Sequence, residues 1–150
     1  MEEFTNIVLT AAFTIIGGMI VFVTGQIVSK FFIDPIQDLK KLLGEIRYSL
    51  IFYSREIHTP IGGNKDGRCD KAEEVLRKHS SDLYSKVAAI PCYNIVSKIS
   101  CGFLPKRAST LEAAKWLRVL SISVHNDDRS KNSAVEEKIY ALLGFGAVDE

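Results

Sequence analysis

The sequence lacks the residue patterns by which enzyme and metal sites are usually recognised. Its three histidines and three cysteines have neither metal-ligand spacing nor a nucleophile–base arrangement. The Gly-rich segment His58–Arg68 does not contain the G-x-x-x-x-G-K-S/T pattern of a phosphate-binding loop. We therefore predict that the chain is not an enzyme, that it has no catalytic residue, and that it binds no metal and no cofactor.

An excess of basic residues is also missing. The chain has 19 Lys and Arg against 18 Asp and Glu, which gives a formal net charge of +1. Domains that bind nucleic acid carry a clear positive excess, because they neutralise phosphates. We therefore expect no nucleic acid among the partners of this protein.

Charged side chains are absent from the whole stretch Phe4–Ser29, FTNIVLTAAFTIIGGMIVFVTGQIVS. At about 1.5 Å per residue, a helix over this stretch exceeds the roughly 30 Å of a bilayer's hydrocarbon core. We predict a single transmembrane helix, with residues 1–33 as the anchor and the lipid bilayer as a partner. Cleavage as a signal peptide is disfavoured, because Glu2 and Glu3 precede an apolar run that is too long. The predicted membrane stretch contains no Asp, Glu, His or Arg. A proton relay or a voltage sensor is therefore not expected.

Basic residues are absent before this stretch and frequent after it, at Lys30, Lys40, Lys41 and Arg47. Because Lys and Arg accumulate on the cytoplasmic side of a membrane helix, residues 34–150 are predicted to lie in the cytoplasm. The odd number of cysteines favours a reducing compartment over a disulfide framework.

Small residues recur along one face of the predicted anchor at intervals of three and four, the spacing of a left-handed helix pair. This first set is Ala11, Thr14, Gly18, Val21 and Gly25. It predicts self-association in the membrane and a homo-oligomer. A second, overlapping set is predicted to line a pore: Thr10, Thr14, Gly17, Val21 and Thr24. The alternative is the ordinary composition of membrane helices, in which Thr hydroxyls bond back to their own helix.

The dipeptide Asp34-Pro35 predicts a hinge between the anchor and the rest. The residue before a proline is disfavoured in helical conformation, and proline is favoured at the first position of a new helix. Asp34 would cap that helix, and Gln37 would complete a capping box. The new helix is expected to run to about Ile57.

Residues 34–150 predict a compact domain of about five helices, and the fold class is all-α, since apolar residues recur at helical spacing and no strand pattern occurs. After the second helix, the predicted helices cover about 70–89 and 92–102 and then start at two capping boxes, Ser109–Glu112 and Ser133–Glu136. Loops are expected over His58–Arg68 and at Asp127-Asp128, and Gly144 is expected to close the last helix. The apolar run Leu50–Tyr53 favours burial within the domain over contact with the membrane surface.

The join between anchor and domain, FFIDPIQDLKKLLGEIRYSLIFYSREI, resembles a group of small bacterial membrane proteins. In these, a membrane helix runs through a similar Asp-Pro-Ile-Gln stretch into a Gly-Glu-Ile and Leu-Ile-Phe-Tyr helix, followed by a cytoplasmic helical domain. The likeness covers most of the chain, and its specific motifs lie between Phe31 and Tyr53. Such proteins look like effectors of anti-phage defence by abortive infection, in which oligomers open pores in the inner membrane and kill the infected cell.

Two classes of function follow. In the first, the cytoplasmic domain senses an unidentified protein trigger, copies assemble, and the anchors permeabilise the bacterial inner membrane. In the second, the chain is a constitutive membrane-tethered adaptor that docks a cytosolic protein. The anchor distinguishes them, because an adaptor tolerates a generic Leu-rich membrane helix and a pore-former does not.

Overall fold

Helices make up all the regular structure of the described residues, which are 1–58, 67–99, 104–125 and 129–145 of the computed structural model. The elements are α1 (Glu2–Val28), a π-helical turn (Ser29–Ile33), α2 (Asp34–Phe52), α3 (Ser54–His58), α4 (Arg68–Ala89), α5 (Tyr93–Ile99), α6 (Arg107–Ser123) and α7 (Arg129–Leu143). The all-α prediction is confirmed for these ranges, which contain no strand. Residues 59–66 of the predicted loop, Cys101 and the pair Asp127-Asp128 lie outside them.

The helix does not end at Asp34-Pro35, so the predicted hinge and capping box are wrong. Asp34 has helical dihedral angles, φ −60° and ψ −48°, and no side chain caps α2. Instead α1, the π turn and α2 form one continuous helix of 51 residues. A proline inside a helix lacks a donor, and its ring collides with the carbonyl four residues earlier, here that of Phe31. The wider turn makes room, because the Asp34 N–H donates to the carbonyl of Ser29, five residues back.

The core of the bundle forms where α4 packs on α6, with α2 against α4 and α7 against α6. Each helix presents apolar residues at intervals of three and four to its neighbour. Fully buried members are Leu39, Ile46, Leu50, Leu76, Leu83, Leu117, Leu120 and Ile139. Burial of each such side chain contributes about 1.5–3 kcal/mol, so these contacts hold the four helices together.

The apolar end of α2 is covered on one side only, which corrects the prediction that Leu50–Tyr53 is buried within the domain. Leu50 is buried and Tyr53 is half-buried, but Ile51 and Phe52 are about half exposed. The reason is that α2 packs on α4 along a single stripe and contacts α3 only near its end. A face of α2 therefore remains open.

The two predicted capping boxes do not start their helices. The sixth and seventh helices begin at Arg107 and Arg129, so Ser109 and Ser133 lie inside them. By starting earlier each helix gains backbone hydrogen bonds, which outweighs one side-chain cap of about 1 kcal/mol. The end of α7 is as predicted: Gly144 has φ 69°, and the Phe145 N–H donates to the Tyr140 carbonyl at 3.0 Å.

A buried asparagine ties α7 to two other helices. Asn132 is 1% exposed, and its Nδ2 donates to the carbonyl of Ile57 at 2.9 Å and to that of Ser123 at 3.3 Å. Both carbonyls belong to last turns, of α3 and α6, where no intrahelical donor remains. The amide therefore satisfies two helix ends at once.

Replacing this amide should destabilise the bundle. Asn132→Ala leaves both carbonyls without this donor, and we expect a loss of about 1–3 kcal/mol in the free energy of unfolding. The control Asn94→Ala alters an exposed side chain of α5 and should change that free energy by no more than about 0.5 kcal/mol. Urea unfolding of the full chain in detergent micelles, followed by circular dichroism, measures both. Equal effects of the two substitutions would contradict the assignment.

Candidate functional site

The first helix is the most unusual feature of the chain. By length and composition it is the one helix among the described residues suited to cross a membrane, with a mean hydropathy of 2.4 over its best 18-residue window and none of that window buried. No residue of α1 or of the π turn is buried against the bundle. The largest apolar surface of the described chain thus has no partner within it.

The small-residue face of α1 is open along its length. Ala11, Thr14, Gly18, Val21 and Gly25 are all exposed. At about 100° per residue they fall within an arc of roughly 80°. A Cβ atom added at Gly18 or at Gly25 would meet nothing within 4 Å. Space for a second backbone is therefore present where the spacing predicts one, and self-association through this face stays a prediction.

The second, threonine-bearing face of α1 is also exposed. Thr10 Oγ1 donates to the Asn6 carbonyl at 2.8 Å, and Thr14 Oγ1 donates to the Thr10 carbonyl at 2.9 Å. Such bonds agree with the alternative given above, in which Thr is ordinary in a membrane helix because its hydroxyl bonds to a carbonyl of the same helix. Each hydroxyl oxygen nevertheless keeps a lone pair that can accept a hydrogen bond from water or from another copy.

Two adjacent glycines, Gly17 and Gly18, lie inside the uninterrupted first helix. A Cβ atom added at Gly17 would meet nothing within 4 Å. Gly17 and Thr24 complete the predicted pore-lining set with Thr10, Thr14 and Val21, and all five are exposed. The predicted self-association set and the predicted pore-lining set overlap on one side of the helix. A contact between two copies would therefore lie next to the pore lining.

A buried serine–histidine pair joins α2 to α4. Ser49 Oγ and His79 Nε2 are hydrogen-bonded at 2.9 Å, and both side chains are more than nine-tenths buried. Burial lowers the pKa of His79 below its ordinary 6.5, and the nearby Glu45 and Asp82 oppose that shift only in part. The imidazole is therefore neutral at physiological pH. The hydrogen bond connects two helices. The Ser49 hydroxyl is too deeply buried to be reached by a substrate, so the pair does not resemble an accessible nucleophile.

Contacts between a basic side chain and a carboxylate join further helices. His58 Nε2 lies 2.6 Å from Glu136 Oε2, Arg68 Nε lies 2.8 Å from Glu56 Oε1, and His125 Nε2 lies 3.0 Å from Glu73 Oε2. Burial raises the pKa of Glu136, and His58 acts against that shift. In the part of the chain that the structure describes, no group of three His, Cys, Asp or Glu side chains is placed to hold a metal ion.

Two features of this region were missed by sequence reasoning. One is the π turn before Asp34, and the other is the open face of α2 that carries Tyr48 and Ile51. The available signal for the turn was a proline with helical periodicity on both sides. Such a proline is compatible with a wider turn inside one helix as well as with a break between two helices. The open face gave no signal, because exposure depends on which helices pack on α2.

No family model matches this chain, and neither a curated protein nor a solved structure is significantly similar to it.

The His79 pair predicts a pH dependence of stability. The unfolded chain binds a proton at His79 below about pH 6.5, whereas the folded chain resists it, because its pKa is lowered by burial. This contribution to stability is therefore complete above pH 6.5 and is lost as the pH falls below it.

His79→Gln keeps a polar partner for Ser49 but cannot titrate, so the variant should lose less stability between about pH 7.5 and about pH 5.5. Urea midpoints of the full chain in micelles at both pH values give the comparison. Asn94→Gln, at an exposed side chain that does not titrate, serves as the control and should keep the pH dependence of the unchanged chain. A pH dependence in His79→Gln as steep as in the unchanged chain would refute this origin.

Proposed function

We propose that the chain is a single-pass protein of the bacterial inner membrane, with α1 in the bilayer and residues 34–150 in the cytoplasm. Support comes from the exposed apolar surface of α1 and from the charges that flank it. No Lys or Arg precedes the helix, while Lys30, Lys40 and Lys41 follow it. The free energy of inserting so apolar a helix favours the membrane, where its backbone groups are already bonded within the helix.

Within that membrane, the proposed role is that of an effector that oligomerises on a trigger and permeabilises the bilayer, in anti-phage defence by abortive infection. The observation that carries this proposal is the open small-residue face of α1, with free space beside Gly18 and Gly25. Close approach of backbones is what drives helix association in lipid, where the hydrophobic effect does not act between helices. The biological role in the proposal is supported by the resemblance of residues 31–53 to small bacterial membrane proteins, whose build looks like that of defence effectors.

The continuous helix offers a route from trigger to membrane. Leu39, Ile46 and Leu50 of α2 belong to the core of the bundle, and the same helix continues without a break into α1. A trigger protein that shifts or gathers the bundles would therefore move the anchors with them. In a ring of such anchors, the first set of small residues would lie between helices, and the hydroxyls of Thr10 and Thr24, which belong to the second set alone, would face the lumen.

A second candidate is a constitutive membrane-tethered adaptor, favoured by an apolar groove between α6 and α7. The groove has a volume of about 490 Å³ and is lined by residues that include Trp116, Val119, Ile122 and Val135. Val119 and Ile122 are about half exposed. Such a groove suits a cytosolic protein partner, and this function would need the anchor only as a tether.

The proposed topology is testable with reporters at the C-terminus. A C-terminal fluorescent protein that matures only in the cytoplasm should be active, and a C-terminal alkaline phosphatase should not, because no basic residue precedes α1. Adding Lys residues before Phe4 should reverse part of the population. A phosphatase signal from the unchanged chain would overturn the topology and with it the reducing environment of Cys69 and Cys92.

The assembly step is tested by adding bulk to the small-residue face. Gly18→Leu with Gly25→Leu should leave insertion intact, since the helix becomes more apolar, but should weaken association by tenfold or more, corresponding to about 1.4 kcal/mol. Amine crosslinking in membranes measures the oligomers, and growth with and without phage challenge measures the effector activity.

The matched control is Ala12→Leu, which adds bulk at an exposed position on the opposite side of α1. It should change neither oligomers nor activity. An adaptor would keep its function in the Gly18 and Gly25 variant and also with a generic Leu-rich membrane helix. Normal oligomers and normal phage protection in that variant would remove this face from the mechanism.

A further inference from the structure

The outer face of α2, here Gly44, Tyr48 and Ile51, has no partner among the residues that the structure describes. Tyr48 is 66% exposed and Ile51 is 50% exposed. A Cβ atom added at Gly44 would meet nothing within 4 Å. The Tyr48 ring stacks on that of Phe52, with centroids 5.7 Å apart, so the face ends in a preformed aromatic surface. These residues recur at intervals of four and three, the spacing of a helix that packs along another helix.

The π turn decides where this face points relative to α1. A turn closed by a bond that spans five residues holds one residue more than an α-helical turn, so the residues after it are displaced by about 100° around the axis. With that displacement, the mean direction of the outer face of α2 lies within roughly 20° of that of the small-residue face of α1. In an uninterrupted α-helix the two directions would differ by roughly 105°.

From this alignment we infer that the outer face of α2 is a contact between parallel copies of this chain, continuous with the small-residue face of α1. The inference rests on the proposed function, because it needs copies that associate through their anchors. All copies of a single-pass protein cross the membrane in the same direction, so each residue of the face meets its own counterpart at the same height. Two apolar faces that lie on one side of a continuous helix can then be covered by one neighbour.

The charges beside the face fit a parallel neighbour. Lys40 lies on one edge of the face and Glu45 on the other, five positions later in the chain. In a parallel pair of helices, one edge of the first helix lies beside the other edge of the second. Ion pairs then join a residue of the first edge to a residue five positions later on the second. Lys40 of one copy would thus approach Glu45 of the next. An antiparallel neighbour would not bring these two positions together.

The membrane surface does not fit as the occupant. Tyr48 lies 15 positions beyond Ile33, about 22 Å further along the same helix. At the usual tilt of about 20°, the outer face is therefore carried away from the lipid. This distance puts the face in the cytoplasm under the proposed topology. There, association of two anchors would hold the outer face of a second copy close by.

Photo-crosslinking tests the contact directly. A benzophenone-bearing phenylalanine replaces Tyr48 in the full chain, and the control places it at Tyr84, an exposed tyrosine of α4. Irradiation of membranes should give a covalent dimer of this chain at Tyr48, in a yield at least about fivefold above that at Tyr84. A product with another protein, a product with lipid alone, or equal dimer yields at the two positions would each overturn the inference.

Removing the extra residue of the π turn tests the alignment. Deletion of Phe32 should turn the outer face of α2 away from the small-residue face by about 100°, and the dimer yield at Tyr48 should fall at least about threefold. Phe32→Ala, which keeps the residue count, should leave that yield unchanged. An unchanged yield in the deletion variant, with insertion confirmed by carbonate extraction, would refute the alignment.

The two proposals fail in different ways. If amine crosslinking finds no oligomers of the unchanged chain, the proposed function is wrong, because it requires assembly. If oligomers form, and depend on Gly18 and Gly25, but Tyr48 gives no dimer, the contact between the outer faces of α2 is wrong and the assembly of the anchors stands.

Discussion

The continuity of one helix from Glu2 to Phe52 is the constraint on which the rest of the structure depends. An apolar helix needs every backbone group bonded within itself if it is to leave water, and Pro35 withholds one donor close to its end. The five-residue bond from Asp34 to Ser29 resolves this conflict without ending the helix. As a result, one helix presents a bare apolar surface at one end and supplies core residues to the bundle at the other.

Local structure is predictable from the residues where a single preference acts, and it is not predictable where two preferences compete. The uncharged run from Phe4 to Ser29 and the apolar spacing of α2 each predicted a helix, because length in the first case and periodicity in the second favour one. At Asp34-Pro35 a local preference for a helix start competed with the continuity of a long helix, and continuity prevailed. At Ser109 a side-chain cap competed with additional backbone hydrogen bonds, and the helix begins two residues earlier, at Arg107. Only the packed structure shows which term is larger.

The polar interior could not be anticipated, because its partners are far apart in the chain. Ser49 and His79 are separated by 30 positions, and Asn132 and Ile57 by 75. Apolar periodicity states that a helix has a buried face but not which helix covers it. Hydrogen bonds between buried polar groups are directional and costly to leave unmade, so these contacts specify one arrangement of neighbours among those that the apolar faces permit.

The end of α7 returns to the beginning of the bundle. After the left-handed Gly144, the Phe145 ring lies 6.0 Å from the Arg47 guanidinium of α2 and packs edge-on against Tyr140. During synthesis, α1 and α2 leave the ribosome first, whereas this contact forms only when residue 145 has followed. The bundle is thus completed only after α1 and α2 have left the ribosome, so the order of translation places the emergence of the apolar helix before closure of the domain.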